Sequence, residues 1–186
     1  MKTKHLPERR RFAGVRDKAG YLYERLLYWY DAGNDPSRAL AYARRLDELL
    51  SEKSPGHGAI FPEECRSLIC EVRGDLAGAI KHRENEVRLI KRLHEISRDG
   101  PHWDKILELH GYEDLSIRMD WLSELYHEAG QTERAVETLL ASKRLCAQHG
   151  VPFGAADLLK EFSADLRKSK SLRPRQPHRL NGRASR

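Results

Sequence analysis

The sequence predicts an all-α fold of three antiparallel helix pairs followed by a C-terminal capping helix, and three observations support this. Leu, Ala, Glu, Arg and Lys, all good helix formers, dominate the 186 residues, while Val and Thr are sparse. Apolar residues recur at intervals of three and four, as on one face of a helix. Glycine- or proline-containing breaks interrupt this period, and they predict short turns between helices.

The first two predicted helices flank the stretch AGNDPSRA. The apolar period predicts a helix over 19–31, and we expect Gly33 to adopt the left-handed conformation that ends it. Asp35 is a good N-cap, and Pro36 suits the first position of a second helix over 36–52. The remaining helices are predicted, in chain order, over 62–72, 76–97, 102–109 (a short one), 114–129, 133–148 and 155–168.

Charge divides the chain into three parts. The net charge is +6, yet residues 167–186 carry +8 and residues 1–12 carry +4, which leaves −6 for residues 13–166. We therefore predict a disordered basic arm over 1–14, a helical repeat domain over 15–168 and a disordered basic tail over 169–186. The tail is rich in charge, proline and glycine, and it has too few apolar residues to offset the entropy of ordering.

Several classes of protein are excluded or disfavoured. No stretch approaches 18 consecutive apolar residues, and the N-terminus lacks the apolar segment of a secretory signal. The odd number of cysteines, Cys65, Cys70 and Cys146, predicts reduced thiols and a cytoplasmic location. No glycine-rich phosphate loop, GxSxG or HExxH motif is present, so we expect no enzyme.

Three histidines at eight-residue spacing, His94, His102 and His110, lie near Trp103 in the sequence. A zinc site needs a defined set of first ligands, and this spacing does not define one. We interpret these histidines as helix-capping or surface residues, and we predict no metal and no cofactor.

Three helix–break–helix units emerge when the chain is aligned on Gly33, Gly74 and Gly130. An alanine follows the glycine by five residues in the second and third units and by six in the first, at Ala79, Ala135 and Ala39. A small residue there permits close contact between the two helices of a pair. One pair cannot bury its apolar faces alone, so we expect the pairs to stack.

These units resemble the tetratricopeptide repeat (TPR), in particular small stand-alone bacterial proteins of that type. The third unit matches the family pattern best, with Leu122, Ser123, Tyr126, Gly130, Ala135, Val136 and Leu139. The first unit has Trp29 at the tyrosine position but Leu26 at the small one. The second has Cys70 for the tyrosine, and Arg83 and Glu86 where apolar and small residues are expected. The resemblance covers roughly residues 19–148 and implies a TPR-like α-solenoid capped by the last helix.

The resemblance also implies a ligand site, because such proteins bind peptides in a concave groove lined by the first helix of each pair. The groove positions carried over to this chain are Tyr23, Leu27, Tyr30, Asp31, Glu64, Leu68, Glu71, Asp120, Glu124, His127 and Glu128. This set contains six carboxylates and no Lys or Arg, which argues against the family's clamp for a peptide C-terminal carboxylate. We expect a protein–protein interaction adaptor whose partner, a peptide or another protein, is basic.

The sequence also leaves other interpretations open. Glutamates at exposed helix positions also serve solubility alone, and the basic tail could occupy the acidic groove itself. The main alternative is a nucleic-acid-associated accessory protein whose tails bind the phosphate backbone; its contacts would be Arg167, Lys168, Lys170, Arg173, Arg175 and Arg179, aided by the basic residues Lys81, Arg83, Arg88, Lys91 and Arg92 of the long helix. The apolar surface of the first pair, at Trp29 and Tyr30, is also available for homo-oligomerisation.

Overall fold

The computed structural model describes residues 14–52 and 60–172, and over these ranges every regular element is an α-helix. No helix among them is long and apolar enough to cross a membrane. The helices are α1 (Val15–Tyr30), α2 (Pro36–Glu52), α3 (Ile60–Val72), α4 (Leu76–Ser97), α5 (Trp103–His110), α6 (Tyr112–Glu128), α7 (Thr132–His149) and α8 (Ala156–Leu172).

The helix bounds follow the predicted ones closely, with corrections at both ends of the domain. α1 begins at Val15, four residues before its predicted start at residue 19. Both α2 and α4 have the predicted limits, whereas α8 runs four residues past the predicted boundary, so residues 169–172 are helical rather than part of the tail. The Ser169 hydroxyl donates to the Leu166 carbonyl oxygen (2.9 Å), and Lys170 Nζ lies 2.9 Å from Glu133 Oε1 on α7. These two contacts stabilise the additional turn of α8. The predicted arm and the rest of the predicted tail lie outside the described residues, apart from Gly14.

Two of the three turn glycines end their helices as the pattern predicts. Gly74 and Gly130 both have φ +73°, a conformation that glycine adopts without steric cost. After Gly130, the Gln131 amide donates back to the Tyr126 carbonyl oxygen at 2.8 Å and closes the α6 C-terminus. The corresponding Asp75 amide donates to the Cys70 carbonyl oxygen at 2.9 Å.

The expectation for Gly33 is wrong, because the left-handed residue of that turn is Asn34, with φ 42°. Gly33 serves a different purpose: a Cβ at this position would stand 2.4 Å from the Trp29 indole ring. The missing side chain makes room for the tryptophan. Asp35 is the predicted N-cap, and its carboxylate accepts from the Arg38 amide at 3.0 Å.

The helices associate mainly as consecutive pairs. α1 packs on α2, α3 on α4, and α6 on α7. Neighbouring pairs then contact each other through α2 with α3 and α4 with α6, while α8 covers α7 and the short α5 contacts α4 and α6. The alanine after each break, Ala39, Ala79 or Ala135, is fully buried, as close packing within a pair requires.

Two hydrophobic cores hold these elements together. The first is built from α1, α2 and α3 and includes Leu26, Leu46 and Ile69. The second joins α4, α6, α7 and α8 and includes Ile90 and Leu139. Buried polar side chains from α3, α4 and α6 lie beside these cores. All three cysteines are free thiols, Cys65 and Cys146 being buried.

Candidate functional site

A concave cavity of about 400 Å³ opens between α1, α3 and α6, and α4 contributes one residue to its wall. Eight of the eleven predicted groove residues line it together. The complete lining is Tyr23, Leu27, Tyr30, Asp31, Leu68, Glu71, Arg83, Trp121, Glu124, Leu125 and Glu128. The side chains that face one another across this cavity therefore come largely from the first helix of each pair.

Three predicted groove residues do not line the cavity, because neighbouring helices engage them. Glu64 accepts a hydrogen bond from the Tyr23 hydroxyl (2.9 Å) and pairs with Arg118 Nη1 (3.2 Å). Asp120 accepts from the Ser142 hydroxyl of α7 at 2.9 Å. His127 turns towards α8. These residues stabilise contacts between helices, which the repeat pattern alone does not reveal.

The imidazole of His127 stacks on the Phe162 ring with 3.9 Å between centroids. Its Nε2 also lies 3.7 Å from Asp165 Oδ2. Both partners belong to α8, which the sequence predicts only as a cap. His127 therefore anchors α8 to the end of α6.

Three residues of the cavity wall, Arg83, Trp121 and Leu125, are absent from the predicted groove set. Trp121 precedes Glu124 by three residues and Glu128 by seven, so helical spacing alone places them on one face of α6. That signal is readable in the sequence. Arg83 lies on the second helix of its pair, and its only sequence signal is that it departs from the apolar residue of the repeat pattern.

Arg83 corrects the expected charge of the site. The cavity is lined by four carboxylates and one guanidinium, rather than six carboxylates and no cation. Arg83 Nη2 lies 3.4 Å from Glu71 Oε1, and Nη1 lies 2.7 Å from Glu86 Oε2. The lining still has a net negative charge, since one cation faces four acids.

Beneath this wall, Glu86 is 0% exposed and joins two arginines. Its carboxylate accepts from Arg83 and also from Arg118 Nη1, whose Nε lies 3.0 Å from Asp114 Oδ2. Burial raises the pKa of Glu86 to about 7, although both arginines act to lower it. This buried ionic network links α3, α4 and α6 at the base of the cavity.

Three cavity carboxylates, Asp31, Glu124 and Glu128, have no hydrogen-bond or ion-pair partner in the described ranges. Burial raises the pKa of Glu124, and the negative charges of Glu128, Asp120 and Glu71 raise it further. The pKa of Tyr30 is raised by burial and then by Glu71, Glu128 and Asp31. The site therefore concentrates like charges that its own side chains do not neutralise.

Only some of the basic residues predicted to contact nucleic acid are described by the structure, and several of these are already paired or buried. Lys168 and Lys170 are already in ion pairs with Asp165 (3.1 Å) and Glu133 (2.9 Å). Arg167 is exposed, and the remaining three, Arg173, Arg175 and Arg179, lie outside the described residues. On α4, Arg83 is buried and cannot belong to an exposed basic stripe.

The first helix pair leaves part of its aromatic surface exposed. Tyr28 is exposed, whereas Trp29 is half-buried beneath the Arg38 guanidinium, whose carbon lies 4.3 Å from the ring centroid. Tyr30 faces the cavity. The surface predicted for homo-oligomerisation is therefore divided between the cavity and a cation-covered indole.

The interpretation of the three histidines as capping or surface residues is wrong for His94, whereas His102 is exposed at the N-cap position of α5. His94 is buried, its Nε2 is hydrogen-bonded to the His110 carbonyl oxygen, and its ring meets Tyr112 and Trp103 edge-on at 4.8 and 5.6 Å. Over residues 14–52 and 60–172, no group of three or more His, Cys, Asp or Glu side chains is arranged to hold a metal ion.

Comparison of the chain with family models, with curated proteins and with solved structures gives no match. Function is therefore inferred from the residues of the cavity.

Proposed function

We propose that this protein is a non-catalytic interaction adaptor, which binds a basic peptide or a basic segment of a partner protein in the cavity between α1, α3 and α6. One observation carries the proposal: aromatic and apolar side chains share a concave site with three carboxylates that have no partner among residues 14–52 and 60–172. Such a lining complements a peptide with Lys or Arg side chains, which have an apolar stem and a cationic end.

The proposal includes a TPR-like stack as the architecture. It is supported by three consecutive helix pairs whose turns align on glycines and whose first helices, α1, α3 and α6, border one cavity. In this arrangement α8 is the cap of the last pair. A cytoplasmic location belongs to the same proposal, since all three cysteines are free thiols.

The apolar part of the lining is what distinguishes a binding site from a merely solvated face. Leu68 and Leu125 are buried at the cavity, while Leu27, Tyr30 and Trp121 remain substantially exposed. A soluble protein has no need to gather large exposed apolar side chains in one concavity. Such clusters are typical of interaction sites. A partner that covers these side chains buries their apolar surface, and its cationic groups pair with the carboxylates of the cavity.

The test is a binding titration of the full chain with two labelled twelve-residue peptides. One alternates Gly-Ser with four arginine or lysine residues, and the other carries four glutamates at the same positions. We expect the basic peptide to bind, with an affinity that falls as salt is raised, and the acidic peptide not to bind. The double variant Glu124→Gln, Glu128→Gln should weaken binding by about tenfold or more.

The matched control is Glu137→Gln on α7, which removes one exposed carboxylate that does not line the cavity. It should bind the basic peptide as the unchanged protein does. Equal binding of both peptides, or a double variant that binds like the control, would contradict the proposal.

A further inference from the structure

The C-terminal ends of three helices converge on one part of the cavity. Asp31 is the C-cap of α1, Glu71 lies in the last turn of α3, and Glu128 is the last residue of α6. All three border the same cavity. The Tyr30 phenol is close enough to Glu71, Glu128 and Asp31 to be influenced by each of them.

This placement runs against the usual chemistry of helix ends. The C-terminus of a helix carries partial negative charge, so cations are favourable there and carboxylates are not. α1 and α3 have no basic residue in the last turn, and the His127 of α6 is turned towards α8. Three helix ends therefore combine their partial negative charge with three carboxylates.

The rest of the protein compensates this charge only in part. Arg83 pairs with Glu71, whereas Asp31, Glu124 and Glu128 have no ionic partner within the described part of the chain. Folding alone does not account for such an arrangement, because each like-charge contact costs stability. A cation supplied from outside would relieve it.

The walls show what kind of cation fits. Tyr30 and Trp121 are each 42% exposed, although both are large aromatic side chains. The Arg83 guanidinium carbon already lies 5.1 Å from the centroid of the Trp121 ring. A planar guanidinium stacks on such rings and donates two parallel hydrogen bonds to a carboxylate, which a lysine ammonium or a metal ion does not do.

A second observation concerns Arg83, the cation of the cavity wall. Arg83 is 4% exposed and borders the cavity, and its Nε has no hydrogen-bond partner among the described residues. A buried donor without an acceptor is unfavourable. That Nε is itself buried, and Nη2 and Nη1 are paired with Glu71 and Glu86. A ligand therefore meets Arg83 as a fixed, already paired cation, and the carboxylates without partners in the described ranges are left for the ligand's own cation.

We propose that the cavity is an arginine-selective binding pocket. It takes one arginine side chain of the partner segment, with the guanidinium between the carboxylates of Glu124 and Glu128 and against the rings of Trp121 and Tyr30. This inference rests on the proposed function and specifies the ligand of that site.

The experiment compares three versions of the basic twelve-residue peptide on the full chain, with arginine, lysine or citrulline at all four positions. Citrulline keeps the shape of arginine and removes its charge. We expect the arginine peptide to bind about tenfold tighter than the lysine peptide, and the citrulline peptide to lose binding.

The variants assign this preference to the pocket. Trp121→Leu and, separately, Tyr30→Leu should reduce the arginine-to-lysine ratio towards one. Glu124→Gln should weaken both peptides, and Glu137→Gln should change neither. Two aromatic variants are used so that a folding defect in one, detected by its thermal unfolding, leaves the other to decide.

The outcomes separate this inference from the proposed function. Equal or tighter binding of the lysine peptide would overturn the proposed selectivity for arginine and leave a general site for basic segments. Arginine preference that survives both aromatic substitutions would also overturn it. Failure of both cationic peptides to bind would overturn the proposed function itself.

Discussion

At the scale of single residues, Glu86 has the environment least suited to its chemistry. It is fully buried at a position where the repeat pattern expects a small residue, and it holds Arg83 and Arg118 together. Breaking such a buried pair is costly, because the partner is left as an uncompensated charge. We infer that Arg83 keeps its place at the cavity wall because Glu86 holds it from behind.

The buried carboxylate predicts a pH dependence. The pKa of Glu86 is about 7 in the folded protein against an ordinary value of 4.5, so the folded state holds this proton more tightly than the unfolded state. The stability that this provides is full below pH 4.5 and is lost as the pH rises to about 7. The loss is on the order of 3 kcal/mol in the free energy of unfolding.

Urea unfolding at pH 5 and pH 8 measures this effect. Glu86→Gln keeps the shape and removes the titration, so we expect its stability to fall less than that of the unchanged protein between the two pH values. Glu137→Gln should keep the original pH dependence. Parallel pH profiles for the unchanged protein and Glu86→Gln would show that Glu86 titrates normally.

At the scale of elements, the turns between paired helices depend on glycine for different reasons. Gly130 needs its left-handed conformation, and an added Cβ would meet nothing within 4 Å. Gly33 instead needs the space that the Trp29 ring occupies. The sequence shows the same break in both units, although the physical requirement differs.

We predict that Gly130→Ala lowers the free energy of unfolding by about 1 kcal/mol, the cost of a left-handed conformation for a residue with a Cβ. Gly20→Ala is the matched comparison, because Gly20 lies inside α1 and a Cβ there also meets nothing within 4 Å. It should raise stability by about 0.5–1 kcal/mol through helix propensity. Both values come from denaturant midpoints, and changes of the same sign in the two variants would refute this account.

At the scale of the whole molecule, α8 does more than close the end of the helix pairs. Its Phe162 is buried in the second core and stacks on His127, and its Asp165 faces the same imidazole. α8 thus packs on α7 and holds the C-terminal end of α6, whose last residue borders the cavity.

Removal of this anchor should destabilise the whole second core. We predict that Phe162→Ala lowers the free energy of unfolding by about 3–5 kcal/mol. Leu140→Ala, at an exposed apolar residue of α7, should cost under about 1 kcal/mol. Thermal unfolding of both variants checks the difference, and similar losses would mean that α8 contributes little to the core.

The sequence by itself was sufficient for the helices and for much of the cavity. Helix limits depend on local signals, such as Asp35 before Pro36 and Gly74 after α3, and both α2 and α4 have the predicted bounds. Helical periodicity also shows which residues share a face. The groove residues themselves were implied by the resemblance to the TPR, and eight of them line one cavity once α1, α3 and α6 are brought together.

Only the tertiary structure decided which neighbour each face meets. Glu64, Asp120 and His127 have the spacing of groove residues, yet Arg118, Ser142 and Phe162 engage them. Arg83 enters the cavity wall from a second helix, held by a carboxylate 2.7 Å away. Periodicity within one helix carries no information about the side chains of another, so ionic partners across helices cannot be deduced from it. For that reason the residues of the cavity were largely predictable, and its charge was not.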